Sequence, residues 1–383
     1  MHISHLSLAN FRNYTSLEAD FPPGALVLCG GNAQGKTNLL EAIYLLATSK
    51  SPRSSTDREL VNRDVWGQQL PFARLRAQVN GNGGTSQVEI VLTGQPDTDD
   101  SRQVHYQKRI KVNGVARPVT GLIGTIRVVM FDPRDTDIIG GSPALRRRYI
   151  DAANSQIDSM YLRSYQQYGK ILTQRNHLLR MIKEHRSSPG ELAFWDEQLI
   201  ETGSYIVNKR QLSIDAINST AVEIHKELTD GMEDLSVIYV RSIPALQDRD
   251  LKKTFSERLE KARSEEIARG MSLVGPHRDD LRFLVGDLNM CTYGSRGQHR
   301  TIALSLKLAQ AEYIEDISGD PPILLLDDVL SELDSDRRRH LLNITRNYHQ
   351  VIITATDWDH FDTSFLDKST KFVVSAGTLR NTR

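Results

Sequence analysis

Two stretches of this 383-residue chain carry residue types whose spacing suits phosphate chemistry. The first runs Gly30-Gly31-Asn32-Ala33-Gln34-Gly35-Lys36-Thr37-Asn38. Glycines let a backbone wrap an anion with its N–H groups, and a helix start behind the loop adds partial positive charge. A lysine after the last glycine reaches terminal phosphates, and the next hydroxyl suits Mg²⁺. The second stretch, Ile323-Leu324-Leu325-Leu326-Asp327-Asp328, is an apolar run ending in two carboxylates. Asp327 is the candidate to hold Mg²⁺ beside Thr37, and Asp328 the candidate to polarise or deprotonate an attacking water. A third loop, Ser295-Arg296-Gly297-Gln298, joins a hydroxyl, a glycine and a helix start, which makes a second phosphate site. A plain serine helix cap followed by a glycine turn is the alternative for that loop.

These loops need elements to hold them. A strand is expected at 25–29 and a helix at 36–47, where Leu39, Leu40, Ile43 and Leu46 recur at helical spacing. Residues 3–8 and 125–131 read as further strands. From 72 to 111, short alternating runs broken by Asn80-Gly81-Asn82-Gly83-Gly84 predict an antiparallel meander. Residues 143–231 are helical in pattern. The stripe Tyr161, Tyr165, Tyr168, Leu172, Arg175, Leu179 and Ile182 resumes beyond 186–190, which predicts an antiparallel helical hairpin with Arg175 snorkelling. Helices at 248–269, 301–314 and 335–346 and strands at 323–326 and 351–354 complete the reading. The expected fold is a split α/β P-loop head: 1–142 with the phosphate loop and an antiparallel β subdomain, 143–270 a helical insert, and 271–383 the remainder of the head. No repeat or low-complexity tract interrupts it.

Lys+Arg and Asp+Glu both number 48, so any polyanion surface must be local. The two cysteines, Cys29 and Cys291, form no C-x-x-C pair, which argues against a zinc site or a disulfide framework and fits a reducing compartment. No apolar run reaches membrane-spanning length and no leader pattern opens the chain, so a cytoplasmic protein without membrane contact is expected.

The order of phosphate loop, Ser-x-Gly-Gln loop, Asp-Asp strand end and Ser331-Glu332-Leu333-Asp334 resembles the ABC/SMC-like ATPases. The finer resemblance is to the RecF family of bacterial recombination mediators. It rests on Leu8-Ala-Asn-Phe-Arg-Asn-Tyr14, the phosphate loop through Ile43, Asp132-Pro133 with 141–151, Gly275-Pro-His-Arg-Asp-Asp280, and 324–334. That resemblance spans nearly the whole chain. It implies ATP and Mg²⁺ as cofactors, an ATP-dependent homodimer, weak ATP hydrolysis, and sequence-nonspecific binding of double-stranded or gapped DNA. It also implies work with RecR and RecO to load RecA at single-strand gaps. Carried over by motif, Asp328 and Lys36 are catalytic. Gly30, Asn32, Gly35, Lys36, Thr37 and Asn38 bind nucleotide, and Thr37 and Asp327 bind metal. Ser295, Gly297 and Gln298 face the partner copy's γ-phosphate, and Asp334 lies at the dimer seam. Two features depart from the wider ABC pattern: 352–356 holds no switch histidine, and the segment after Phe131 holds no glutamine at the expected loop.

For DNA, Arg146-Arg147-Arg148, Arg337-Arg338-Arg339 and Arg12 are the candidate phosphate contacts, with solvated helix surface as the alternative. For 275–280 the alternatives are phosphate, metal or dimer contacts, or a Gly-Pro turn into a strand with a local Arg–Asp pair; neither is catalytic. A different class of function, the ATPase subunit of a membrane transporter, shares the same ATP motifs. The helical hairpin and the missing histidine weigh against it. A structural tether would need far longer arms, and a nuclease a second acidic metal cluster.

Overall fold

A computed structural model describes residues 1–96, 104–244 and 250–382. In chain order, the first part holds β1 (His2–Phe11), β2 (Tyr14–Asp20), β3 (Gly24–Cys29), α1 (Lys36–Thr48), β4 (Phe72–Gly81), β5 (Gly84–Pro96), β6 (Val104–Val112), β7 (Val115–Ala116) and β8 (Val128–Phe131). The middle holds α2 (Asp137–Gly140), α3 (Pro143–Ile157), α4 (Ser159–Lys183), α5 (Leu192–Leu228), β9 (Leu235–Val240), α6 (Leu251–Arg269), β10 (Asp280–Val285), β11 (Leu288–Asn289), α7 (Met290–Tyr293) and α8 (Arg296–Ser318). The last part holds β12 (Ile323–Asp327), α9 (Ser335–Thr345), β13 (Gln350–Ala355), α10 (Thr363–Leu366), β14 (Thr370–Ser375) and β15 (Thr378–Thr382). Met1–Asp135 with Gln310–Arg383 form one compact unit, and Thr136–Ala309 another.

The first unit contains two six-stranded sheets. One has the order β15-β14-β3-β13-β12-β8, parallel except for its β15 edge. Its central strands carry apolar runs, 323–326 in β12 and 351–353 in β13, as a sheet covered on both faces requires; every residue of β12 is buried. The other, β2-β1-β4-β5-β6-β7, is antiparallel and alternates: Ala73, Leu75, Ala77 and Val79 turn inward while Phe72, Arg74 and Gln78 face out. Between them α1 buries Leu39, Leu40, Ile43, Leu45 and Leu46 completely, in one core with Leu8, Leu75, Ile90, Leu28 and Leu325. Each such side chain contributes about 1.5–3 kcal/mol. A helix apolar on so many positions is enclosed rather than laid on a surface. Strands β2, β14 and β15 were not expected; their mixed polar composition suits edge and near-edge positions.

The second unit is the helical hairpin α4–α5 with α3, α6 and a three-stranded antiparallel sheet, β11-β10-β9. Asp158 caps α4 by accepting from Met160 N and Tyr161 N, and Ser188 with Glu191 forms a capping box in the hairpin turn. This unit reaches further than the insert expected over 143–270. The reason is pairing: β9 and β10 align from Leu235↔Val285 to Val240↔Asp280, which draws the stretch beyond 270 into it.

Arg175 does not snorkel. It is fully buried, with Nε 2.7 Å from Asp196 Oδ1, Nη2 2.6 Å from Glu266 Oε2 and Nη1 2.7 Å from Ser272 Oγ. Its charge is neutralised inside the bundle instead of escaping to water. The stretch 275–280 is likewise an internal tie, and its Arg–Asp pairs are long-range, not local. Asp279 is fully buried, accepts from Ser242 N (2.7 Å) and the Tyr239 hydroxyl, and lies 3.6 Å from Arg210. Asp280 pairs with Arg146 at 2.6 and 3.0 Å. Arg278 spends its donors on Ser272 O.

Candidate nucleotide site

The phosphate loop connects the buried end of β3 to α1, and its glycines have different reasons. Gly30 has an ordinary φ, but a Cβ there would lie 2.3 Å from Val374 O, so the adjacent strand's backbone demands hydrogen. Gly35, at φ +115°, occupies a region L side chains rarely adopt, and a Cβ would meet the Asn13 side chain at 2.6 Å. Gly35 caps α1 without any side-chain hydrogen bond, leaving the first-turn N–H groups for an anion. The loop is braced from outside. Asn13 Nδ2 donates to Gln34 O (2.9 Å), Tyr14 OH to Gly35 O (3.0 Å), and Gln34 Oε1 accepts from Ala376 N (2.7 Å). Asn38 Nδ2 donates to Asn13 Oδ1 at 2.8 Å. Asn13 and Tyr14 were not foreseen as site residues; their signal was the 8–14 stretch just ahead of the loop strand. Asn32 is exposed on the loop.

The Lys36 ammonium folds back onto the loop, donating to Gly30 O and to Gly31 O (2.8 Å). Burial lowers its pKa, opposed by the nearby Asp328, Cys29 and Asp327. Thr37 Oγ1 lies 2.8 Å from Asp327 Oδ1, so the two expected metal ligands meet across a sequence separation of 290 residues. Burial raises the pKa of the Asp327 carboxyl, opposed by Thr37, Arg53 and Thr354, with Asp132 adding to the rise. Arg53 was missed as well: its Nη2 is 3.0 Å from Asp327 Oδ2 and 3.7 Å from Asp132 Oδ2. Asp132, at the place where a loop glutamine is absent, is also gripped by Arg134 at 2.9 Å through both carboxylate oxygens. Asp328 adopts φ 54°, ψ 24°, and its buried Oδ1 has no hydrogen-bond partner.

These residues fit ATP and Mg²⁺. A hydroxyl and a carboxylate within hydrogen-bond reach are hard oxygen donors of the type Mg²⁺ takes alongside phosphates. A buried carboxylate oxygen without a partner suits a site that handles water.

The other expected residues lie elsewhere. Ser295, Gly297 and Gln298 belong to the second compact unit. The helix behind them starts at Arg296 rather than 301, because Ser295 caps it. Gln298 N donates to Ser295 Oγ (3.2 Å) and Ser295 N to Gln298 Oε1 (2.9 Å), a reciprocal capping box. Gln298 Nε2 also donates to Glu233 Oε1 at 2.9 Å, while Ser295 and Gly297 stay exposed. Asp334 is exposed at the start of α9, accepting from Arg337 N and pairing with its guanidinium, both at 2.9 Å.

The basic clusters are largely occupied within the chain. Arg146 is buried against Asp280, and Arg147 donates to Asp279 O. Arg338 donates to Leu330 O and Leu333 O, and Arg339 lies 3.4 Å from Asp336. Arg12 donates to the fully buried Glu41, to Ser54 and to Glu59 O, making it a structural tie. Arg148 and Arg339 remain exposed. Among the described residues, no group of three or more His, Cys, Asp or Glu side chains is arranged to hold a metal, and no helix is long and apolar enough to cross a membrane.

A parallel sheet with a phosphate loop, an acidic strand end and an inserted helical unit bearing a Ser-x-Gly-Gln loop defines an ATPase head of the ABC/SMC-like class. The chain matches the family described as RecF/RecN/SMC N terminal domain over residues 2–377. It is 42% identical over 386 residues to the DNA replication and repair protein RecF of Herpetosiphon aurantiacus, with 99% of each chain covered. The chain belongs to the RecF family. RecF of Halalkalibacterium halodurans is 41% identical over 384 residues, again covering 99% of each. Among solved structures, the recombination mediator protein RecF with ATP in the RecFOR pathway superposes with a TM-score of 0.87 at 31% identity, covering 100% of this chain and 97% of that one. An Smc head bound to the C-winged helix domain of ScpA, at TM-score 0.55 and 15% identity, shares the fold. RecF membership displaces the transporter-subunit alternative.

Proposed function

We propose that this protein is an ATP-switched DNA-binding factor of replication and repair: it dimerises on ATP, binds DNA as the dimer and hydrolyses ATP slowly. The observation that carries the reading is the assembly of Lys36, Thr37, Asp327 and Asp328 around one phosphate loop. Lys36 and the loop N–H groups hold the phosphates, Thr37 and Asp327 hold Mg²⁺, and Asp328 orients or deprotonates the water. Mg²⁺ supplies charge neutralisation at the transferring phosphate.

Ser295, Gly297 and Gln298 meet the γ-phosphate of the partner copy, with Asp334 at the seam. Support comes from the exposure of Ser295 and Gly297 at the start of α8, a second anion-type loop that one nucleotide does not need. ATP then links two protomers because its contacts exist only in the closed dimer. DNA is held through its phosphates without base reading, with Arg148 and Arg339 as exposed cations. The RecFOR context of the ATP-bound relative supports RecR and RecO as partners. RecA as the protein ultimately loaded at single-strand gaps and a cytoplasmic site of action complete the proposal.

The test is light scattering without nucleotide, with ADP and with ATP, on wild type and Ser295→Arg. The expected result is a doubled mass with ATP for wild type alone. An unchanged mass with ATP removes the switch. Lys36→Ala binding DNA as tightly as wild type, with ATP at equal salt, removes the link to DNA.

A further inference from the structure

Asp328 is a non-glycine residue held in the left-handed region, at φ 54° and ψ 24°, directly after the strand that carries Asp327. Such a conformation persists only where the surroundings over-determine it. Its side chain does not cap the short turn that follows, and its buried Oδ1 has no partner, so the carboxylate supplies no local restraint through that oxygen. The restraint comes from the neighbouring strand. Thr354 of β13 is fully buried and directly opposite Asp327 in the parallel register. Its Oγ1 accepts from Asp328 N at 2.9 Å and donates to Asp327 Oδ1 at 3.0 Å. One hydroxyl thus joins the amide of one acid to the carboxylate of the other, in a relay where each hydrogen bond polarises the next. Thr37 donates to the same Oδ1, so the threonines of β13 and α1 share the orientation of Asp327.

We propose that Thr354 is the positioning residue of this site: its hydroxyl holds Asp328 in the left-handed turn and aligns it with Asp327. Of the charges that oppose the burial-driven fall in the Lys36 pKa, Asp328 has the largest effect, so its carboxylate acts electrostatically on the phosphate-loop lysine. β13 carries no histidine in 352–356, and its link to the acidic pair is this hydroxyl. Valine at 354 keeps the β-branched shape and loses both hydrogen bonds, freeing the Asp328 amide. Serine keeps both. The Thr354 hydroxyl bonds the end of β12 and the acidic pair rather than the phosphate loop, so nucleotide binding stays in place while turnover falls.

The inference rests on the proposed hydrolysis at this site, and the experiment separates the two. ATP turnover and labelled-ADP affinity are measured for wild type, Asp328→Asn, Thr354→Val and Thr354→Ser. Thr354→Val is expected to lower kcat by about 10-fold or more with ADP affinity within about twofold. Thr354→Ser is expected to retain at least half of wild-type kcat, and it serves as the test if the valine variant does not fold. Wild-type kcat in Thr354→Val overturns the inference, as does a Thr354→Ser variant that falls as far, or an unchanged kcat with weakened affinity. Wild type without turnover, or Asp328→Asn with full turnover, overturns the hydrolysis reading itself.

Discussion

Arg53 Nη2 lies 3.0 Å from Asp327 Oδ2, while Thr37 occupies the same carboxylate's Oδ1 at 2.8 Å. The guanidinium therefore sits as a resident cation on the carboxylate assigned to the metal, with Asp132 as its second neighbour at 3.7 Å. Two cations compete for one buried carboxylate oxygen. Arg53→Gln is expected to tighten Mn²⁺ binding without nucleotide by about tenfold, or about 1.4 kcal/mol. Mn²⁺ titration followed by electron paramagnetic resonance reads this directly. Equal affinity in the two proteins would show that Arg53 and the metal do not share Asp327.

Gly30 is required by packing against β14, since a methyl group there would lie 2.3 Å from Val374 O. Gly30→Ala must push the loop or the strand aside. The expected outcome is ATP affinity lowered by about tenfold or more, with a loss of about 1–3 kcal/mol in stability. Isothermal titration and urea unfolding check the two effects. An alanine variant with wild-type affinity would mean the loop yields at no cost.

Arg210 holds the interior of the helical unit together. Its Nε and Nη2 lie 2.8 and 2.9 Å from the two Asp151 oxygens, and its Nη1 2.7 Å from Pro276 O. Arg210→Met leaves Asp151 and Asp279 buried without their cation, which costs about 3–5 kcal/mol. Urea unfolding of the variant measures it, and a loss below about 1 kcal/mol would contradict the assignment.

His277 sets a pH dependence of stability. Its Nδ1 is 2.7 Å from Tyr168 OH and its Nε2 3.2 Å from Ser272 O, a pattern a neutral ring satisfies with one donor and one acceptor. Burial lowers its pKa to about 4, and the charges of Arg278, Arg147 and Arg175 add to that, against the Ser272 contact. Unfolded chain takes up the proton first, near pH 6.5. This contribution to stability is therefore complete above that pH and falls as pH drops toward 4. The slope is on the order of 1 kcal/mol per unit. Unfolding midpoints between pH 7 and 4.5 should fall more steeply in wild type than in His277→Gln. Parallel profiles would count against it.

Much of the fold was legible because the local signals agree. The phosphate loop lies between an apolar strand and a helix with Leu39, Leu40, Ile43 and Leu46 at helical spacing, and the structure places α1 at Lys36–Thr48. The meander followed from alternation broken by glycine turns. Arg175 departs from the snorkelling expectation for a physical reason. A cation in an apolar stripe snorkels when no partner exists, and its partners, Asp196 and Glu266, come from other helices. The sequence places the start of α8 late, at 301 rather than Arg296, because the capping role of Ser295 competes with its reading as a phosphate ligand.

The sequence by itself determined the ATPase class, the family and the identity of the phosphate-loop and acidic-strand residues, because backbone wrapping, charge and strand burial each demand particular residue types at short spacing. Tertiary structure alone decided what lies around them. Arg53 on Asp327, Thr354 between the two acids, Asn13 and Tyr14 behind the loop, and the internal use of Arg12, Arg146 and Arg175 all join residues far apart in the chain. Such pairings depend on which strands become neighbours, and no local spacing encodes that.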